Sequence, residues 1–386
     1  MRIRILIAAG LLAALLPAIA GAQKAPNTIE TKAAHAYMIE ASTGTVLLAK
    51  SEDQPISPAS LAKLMTMGVV FEALKSGAIS LDSEYPVSEH AWRTGGAPSR
   101  TATMFAALKS RIRVEDLVRG VTVDMANDAC IILAEGIDGS EEKFSTRMTA
   151  RARALGLTQS VFANATGLPD PANRTTLKEL TRLARHIQDA YPDYYRYYSE
   201  PDFQWNDIFQ RNKNPLLTRV AGVDGLSTGF AEENGYGIVV SAARKGTRFI
   251  LALSGIASDR ERSEEAARLL EWGFSSFENK RIFNASEVIG GASVYGGDKG
   301  TVDLVAKVPV DIYVPVNNPD RLSARIVYRW PLNAPVAAGA GVGRLQIYSG
   351  EQLTRELPLY AAEAVGIGTL RQRATDALLE LMFFWL

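Results

Sequence analysis

The stretch Tyr236–Ser254, YGIVVSAARKGTRFILALS, decides the fold. Tyr236 to Ala242 and Thr247 to Ser254 are apolar runs rich in β-branched residues, and Arg244-Lys245-Gly246 supplies a polar, glycine-containing turn between them, so the stretch reads as a β-hairpin. Downstream, Ser263 to Gly273 carries helix-spaced apolar residues and reads as a closing helix. Far upstream, residues 34–50 alternate like a second strand pair, with Ala36, Met38, Val46 and Leu48 among the apolar positions and Ser42-Thr43-Gly44 as the turn. Helical periodicity fills the interval, at 58–76, 114–136, 141–155 and 175–190. Strands, then helices, then strands predict an α+β domain over 27–275, with helices packed on an antiparallel sheet. From about Ala285 to Ala362 the helical period vanishes. Short alternating runs (Thr301–Val308, Asp311–Val316, Ser323–Trp330, Val342–Tyr348) separated by Gly, Pro and Asn predict a small all-β domain over 283–366, with the boundary near 275–284.

The composition suits such an arrangement. With 386 residues, 47% of them apolar, the chain has room for two cores. Lysine plus arginine (42) equals aspartate plus glutamate (42), so no basic surplus points to nucleic acid, and none is expected as a partner. A single cysteine, Cys130, excludes an intramolecular disulfide and a cysteine-clustered metal site. The three histidines, His35, His90 and His186, lack metal-ligand spacing, and structural roles are expected for them. No metal and no cofactor are expected.

The ends of the chain carry targeting signals. Arg2 and Arg4, the apolar run Ile5–Leu16, and Ala20-Gly21-Ala22 after Pro17 read as an export signal over 1–22, the other reading being an uncleaved anchor. At the far end, residues 367–386 finish in TLRQRATDALLELMFFWL, with charges early and aromatic and aliphatic residues late. This reads as an amphipathic helix that lies in the headgroup boundary of a membrane; the other reading is a helix docked on its own domain.

Two serines compete for the role of nucleophile. Gly225-Leu226-Ser227-Thr228-Gly229 matches the G-x-S-x-G elbow, but that motif needs a helix after it and a histidine downstream. Here a strand pair follows and every histidine precedes Ser227, so the elbow reading fails. The second site is Ser57-Pro58-Ala59-Ser60-Leu61-Ala62-Lys63, in which Ser57 can cap a helix and Pro58 suits its first turn. Ser60 and Lys63 then share a helix face. A serine hydroxyl becomes a competent nucleophile when a neighbouring base takes its proton, and a lysine serves if burial or nearby cations lower its pKa.

Further blocks extend this pattern in order: Ala126-Asn127-Asp128-Ala129-Cys130, Phe162-Ala163-Asn164-Ala165-Thr166-Gly167-Leu168-Pro169-Asp170, and Val223-Asp224-Gly225-Leu226-Ser227-Thr228-Gly229 before Gly235-Tyr236. Together with Ser60-Leu61-Ala62-Lys63 they make the chain resemble the penicillin-binding D-alanyl-D-alanine carboxypeptidases, serine peptidases related to class A β-lactamases. The resemblance implies a β-lactamase/transpeptidase-like catalytic domain, a periplasmic location with the C-terminal helix on the inner membrane, D-Ala-D-Ala stem peptides of peptidoglycan as substrate, and β-lactams as covalent inhibitors. It assigns Ser60 as nucleophile, Lys63 as general base and Asn127 as holder of a substrate carbonyl. It places Ser227, Thr228, Gly229 and Phe230 at the substrate, with an oxyanion hole from the N–H groups of Ser60 and Phe230. Arg248 matches an arginine that helps receive the substrate carboxylate in that family; a solvated strand residue is its other reading.

Two motif positions depart from the pattern. Where the family has S-x-N, this chain reads Met125-Ala126-Asn127, and a thioether is expected only to fill space. Where the family has K-T-G, it reads Ser227-Thr228-Gly229. Losing that cation is expected to leave Lys63 holding its proton more tightly. The departures motivate an alternative, a family member that binds peptidoglycan or a partner protein with little turnover. A β-lactamase is a third reading, weakened because the loop 162–175 has no glutamate to activate a deacylating water.

Overall fold

In the computed structural model, which describes residues 29–317 and 322–383, the hairpin at Tyr236–Ser254 is the middle of a five-stranded antiparallel sheet. The expected export signal lies outside the described residues. The first domain begins β1 (His35–Glu40), β2 (Val46–Lys50), α1 (Lys63–Lys75), β3 (Glu84–Pro86), α2 (Glu89–Thr94), β4 (Arg111–Arg113), α3 (Val114–Thr122) and α4 (Asn127–Asp138). It continues α5 (Glu141–Ala154), α6 (Leu177–Ala190), α7 (Pro192–Tyr195), β5 (Asp202–Trp205), β6 (Ile208–Arg211), β7 (Val223–Ala231), β8 (Gly235–Arg244), β9 (Thr247–Ile256) and α8 (Asp259–Ser276). The sheet order is β2-β1-β9-β8-β7, so the first and last strands of the domain meet in its centre.

Both faces of this sheet are buried, which is why its strands read as continuous apolar runs. Along β9, Ile250 and Ala252 enter the core shared with α1, α3, α4 and α6, while Phe249, Leu251 and Leu253 enter the opposite core against α8. The period of two survives as a choice between cores.

Two helical expectations are corrected. The pattern at 114–136 is two helices, because the chain turns between α3 and α4 with Met125 at φ +61°. The helix expected from Ser57 begins instead as a 3-10 turn, Ala59–Ala62, without a side-chain cap, and α1 follows from Lys63.

The second domain comprises β10 (Phe277–Phe283), β11 (Val288–Tyr295), β12 (Thr301–Val305), β13 (Val310–Pro315), β14 (Leu322–Tyr328), β15 (Leu332–Asn333), β16 (Gly341–Ser349) and β17 (Gln352–Ala361). Six of these strands form one sheet in the order β14-β16-β17-β12-β11-β15, and β10 pairs with β13 across a core containing Val302, Leu304, Ile312, Leu345 and Leu359. Tyr313 joins the domains: its ring meets Phe249 edge-on at 5.9 Å, and its hydroxyl is 2.9 Å from Thr247 Oγ1. Helix α9 (Leu370–Phe383) docks its first turns on the β domain, where Asp376 accepts from the Gly296 N–H at 2.8 Å and Gln372 donates to the Asp298 carbonyl at 3.2 Å. Among the described residues no helix is long and apolar enough to cross a membrane.

Candidate active site

Ser60 lies in the 3-10 turn and Lys63 opens α1, and this junction brings Lys63 Nζ to 3.1 Å from Ser60 Oγ. Lys63 is only 2% exposed, and Nζ also donates to the Thr166 carbonyl at 2.6 Å. Burial lowers its pKa, while the Asp124 charge pushes it back up. The expectation that Lys63 holds its proton more tightly therefore meets an opposing effect: removal from water favours the neutral amine that catalysis needs.

Three walls surround this pair. The first is β7, whose Gly229 permits a close approach: a Cβ there would stand 3.4 Å from the Ser60 nitrogen and 3.3 Å from Leu61 Cγ. Ser227 and Thr228 are buried beside it, and Phe230 is 52% exposed, with its ring 4.6 Å from that of Tyr236. The second is the start of α4. Asn127 donates from Nδ2 to Thr101 Oγ1 at 2.9 Å, and its buried Oδ1 has no partner. Next to it, Asp128 accepts from Thr103 Oγ1 at 2.6 Å and from the Met104, Ala106 and Ala129 N–H groups at 3.0 Å, which fixes the segment carrying Thr101.

The third wall is the loop that presents Thr166, a residue whose role the sequence did not disclose. Asn164 Oδ1 accepts from the Thr166 and Gly167 N–H groups and from Thr166 Oγ1, folding the loop so that the Thr166 carbonyl faces Lys63. An asparagine two residues before a Thr-Gly pair is the turn signal that could have been read.

Met125 and Ser227, the two departing positions, face each other. Ser227 Oγ is 3.7 Å from Met125 Sδ and 3.4 Å from the Ser60 carbonyl oxygen. The thioether thus has a polar neighbour besides filling space.

The placement of Arg248 at the substrate is corrected. Arg248 pairs across the sheet with Ala243, at the Val223 end of β7 and β8, whereas Ser60 lies against Gly229 at the other end. Its guanidinium is engaged by Asp224 at 2.7 Å and by Ser241 Oγ at 2.6 Å. A different arginine occupies the Phe230 end. Arg262 on α8 is buried over the Tyr236 ring at 5.9 Å and pairs through its guanidinium with Asp259, while Nε is unpartnered and burial lowers its pKa. Another ionic group lies behind Met125: the buried Asp124 carboxylate is 2.9 Å from Lys213 Nζ, and burial pushes it up to about 6 against the pull of that lysine. Neither residue carried a readable motif.

The remaining polar residues lie elsewhere. Ser227 sits within a strand and not at a strand-to-helix turn, which agrees with rejection of the elbow. His90 pairs with Glu141 at 2.9 Å, His35 Nδ1 is 3.1 Å from the Ser51 carbonyl oxygen, and His186 meets Tyr191 edge-on. Burial raises the Cys130 thiol to about 12, so it is an inert core group. No cluster of three or more His, Cys, Asp or Glu able to hold a metal occurs among the described residues.

Comparison with known proteins decides the family. Residues 21–257 match the D-alanyl-D-alanine carboxypeptidase model of peptidase family S11, and residues 277–366 match the penicillin-binding protein 5 C-terminal domain. The chain belongs to the D-alanyl-D-alanine carboxypeptidase family. It is 34% identical over 379 residues to D-alanyl-D-alanine carboxypeptidase DacD of Salmonella typhimurium, covering 97% of each chain. Penicillin-binding protein 5 of Haemophilus influenzae superposes with a TM-score of 0.74 at 33% identity, over 88% of this chain and 99% of that one. Penicillin-Binding Protein D2 of Listeria monocytogenes, solved in its cefotaxime-bound form, has a TM-score of 0.59 at 27% identity, over 64% of this chain and 99% of that one. As a member of the family, the chain is a serine-type D-alanyl-D-alanine carboxypeptidase with the α+β catalytic and all-β domains described above.

Proposed function

We propose that Ser60 removes the terminal D-alanine from peptidoglycan stem peptides through an acyl-enzyme, with Lys63 as general base. The observation that carries this reading is the buried Lys63 amine 3.1 Å from the Ser60 hydroxyl. Neutral Lys63 takes the Ser60 proton as Oγ bonds to the penultimate carbonyl carbon; the C–N bond then breaks, the proton returns to the leaving amine, and water hydrolyses the ester. The N–H groups of Ser60 and Phe230 hold the oxyanion. Asn127 holds a carbonyl of the acyl peptide with the end of its side-chain amide not engaged by Thr101, while Ser227, Thr228 and Gly229 line the leaving-group side. Arg262, at the Phe230 end, takes over from Arg248 the role of helping to receive the substrate carboxylate. β-Lactams acylate Ser60 by the same chemistry.

The working unit is the catalytic domain over 27–275, carried by the β domain over 283–366. Export by residues 1–22 places it in the periplasm, and the helix within 367–386 rests on the outer face of the inner membrane. Support for the last point comes from Ile367, Leu370 and Leu378, which are 63%, 82% and 59% exposed around α9.

The test is D-alanine release from an acyl-D-alanyl-D-alanine peptide by the wild type and by a folded Ser60→Ala variant. Release in the wild type, reduced at least about a hundredfold in the variant, supports the reading. Equal release in both overturns it.

A further inference from the structure

Glu141 opens α5 with its side chain only 15% exposed, and its two carboxylate oxygens serve two different elements. Oε2 is 2.9 Å from Nε2 of His90 on α2, and Oε1 accepts from the Ala165 N–H at 3.0 Å. Ala165 is fully buried and stands one residue before Thr166, whose carbonyl receives the Lys63 amine. The Ala165 carbonyl in turn accepts from Thr66 Oγ1 at 2.6 Å, and Thr66 lies one turn after Lys63 on α1. The peptide units on both sides of Ala165 are therefore pinned, one by α5 and the other by α1. Asn164 shapes the same loop from within, through bonds to Thr166 and Gly167.

The chemistry assigned to Lys63 makes this attachment matter. A lysine amine rides on a flexible four-carbon stem, and as a general base it must point its lone pair at the Ser60 hydroxyl. The N–H given to the Thr166 carbonyl at 2.6 Å fixes how the amine is turned, so the place of that carbonyl decides whether the lone pair meets Oγ, 3.1 Å away. A backbone N–H bound to a carboxylate makes a charge-assisted bond, stronger than one to a neutral acceptor. Without Glu141 the buried Ala165 N–H would lack its partner, and the loop would gain by turning toward another.

We propose that Glu141 is a positioning residue for the general base: by holding the Ala165 N–H, while Thr66 holds the Ala165 carbonyl, it sets the Thr166 carbonyl that orients Lys63. Glu141 is not a reacting group and acts on turnover through Lys63. His90, half-exposed on α2, steadies the carboxylate from its other oxygen. The inference rests on the Ser60–Lys63 acyl-enzyme reading given above.

The test is D-alanine release from an acyl-D-alanyl-D-alanine peptide, with kcat and KM measured separately in the wild type and three variants. Glu141→Met is close in length and removes the acceptor, whereas Glu141→Gln keeps a carbonyl oxygen that can accept from the Ala165 N–H. In the methionine variant the proposal predicts at least about a tenfold fall in kcat with KM within about twofold of wild type. In the glutamine variant kcat stays within about threefold. Thr66→Val keeps the side-chain shape and frees the Ala165 carbonyl; it is expected to show the same fall in kcat, and it stands in for Glu141→Met should that variant unfold. Unchanged turnover in folded Glu141→Met, an equal loss in Glu141→Gln, or a loss expressed in KM overturns the proposal. Absence of any Ser60 adduct with a fluorescent penicillin in the wild type is a separate outcome, which removes the acyl-enzyme reading and the positioning role with it.

Discussion

Gly167 lies directly against Ala59: a Cβ built on Gly167 would stand 1.8 Å from the Ala59 carbonyl oxygen. Gly167 is at φ +78°, and Ala59, the residue before the nucleophile, is at φ +46°. The loop that offers the Thr166 carbonyl to Lys63 is thus locked to the turn that carries Ser60.

Gly167→Ala tests this lock. An added methyl must push the loop away from the turn, because backbone on the far side cannot yield as a flexible side chain would. The expected result is a loss of about a hundredfold in kcat/KM together with a lower melting temperature. Retained activity in a folded variant would show that the lock is not needed.

The pH profile tests how Lys63 is activated. Its pKa is lowered by burial and raised by Asp124, so the acid limb of kcat/KM should fall below the ordinary lysine range. Asp124→Asn removes the opposing charge and should move that limb to lower pH. A limb that stays in place, or moves up, contradicts the assignment. Lys63→Arg keeps a cation that cannot deprotonate and should lose at least about a hundredfold in acylation rate.

Asp124 also predicts a pH-dependent stability. Its folded pKa, about 6, lies above the ordinary aspartate value, so its contribution is fully present below about pH 4 and is lost as pH rises through about 6. Asp124→Asn does not titrate and should gain on the wild type between pH 4 and pH 7.5 by on the order of 2 kcal/mol. Urea unfolding at the two pH values measures the gap, and an unchanged gap would count against it.

The two-core sheet was legible because each run, Tyr236–Ala242 and Thr247–Ser254, is apolar without interruption, and the Ser60/Lys63 pair was legible because a local spacing of three survives the change from α to 3-10 geometry. Contacts that depend on register were not. Arg248 stands beside a plausible strand in one dimension, yet the antiparallel pairing carries it to the far end from Gly229. The break between α3 and α4 was hidden because the apolar residues Val121, Val123 and Met125 continue the helical composition through a residue with positive φ. Thr166, Arg262 and Lys213 act through a backbone carbonyl, a ring face and a buried partner, none of which has a residue-type signature.

Asp128 supports the wall that holds Asn127. It gathers three N–H groups and one hydroxyl around a fully buried carboxylate, so Asp128→Ala leaves four donors short of a partner and should cost about 3 kcal/mol or more. Because Thr101 is held by the same segment, the variant should also show a raised KM. An unchanged melting temperature would contradict this account.

The central claim is that burial alone activates Lys63, so that Ser60 acylates without a lysine at position 227. Incubating the protein that lacks residues 1–22 with a fluorescent penicillin, and measuring intact mass beside Ser60→Ala, tests it most directly. The account predicts one covalent adduct in the wild type and none in the variant. A folded wild type that stays unmodified at high reagent concentration would contradict it.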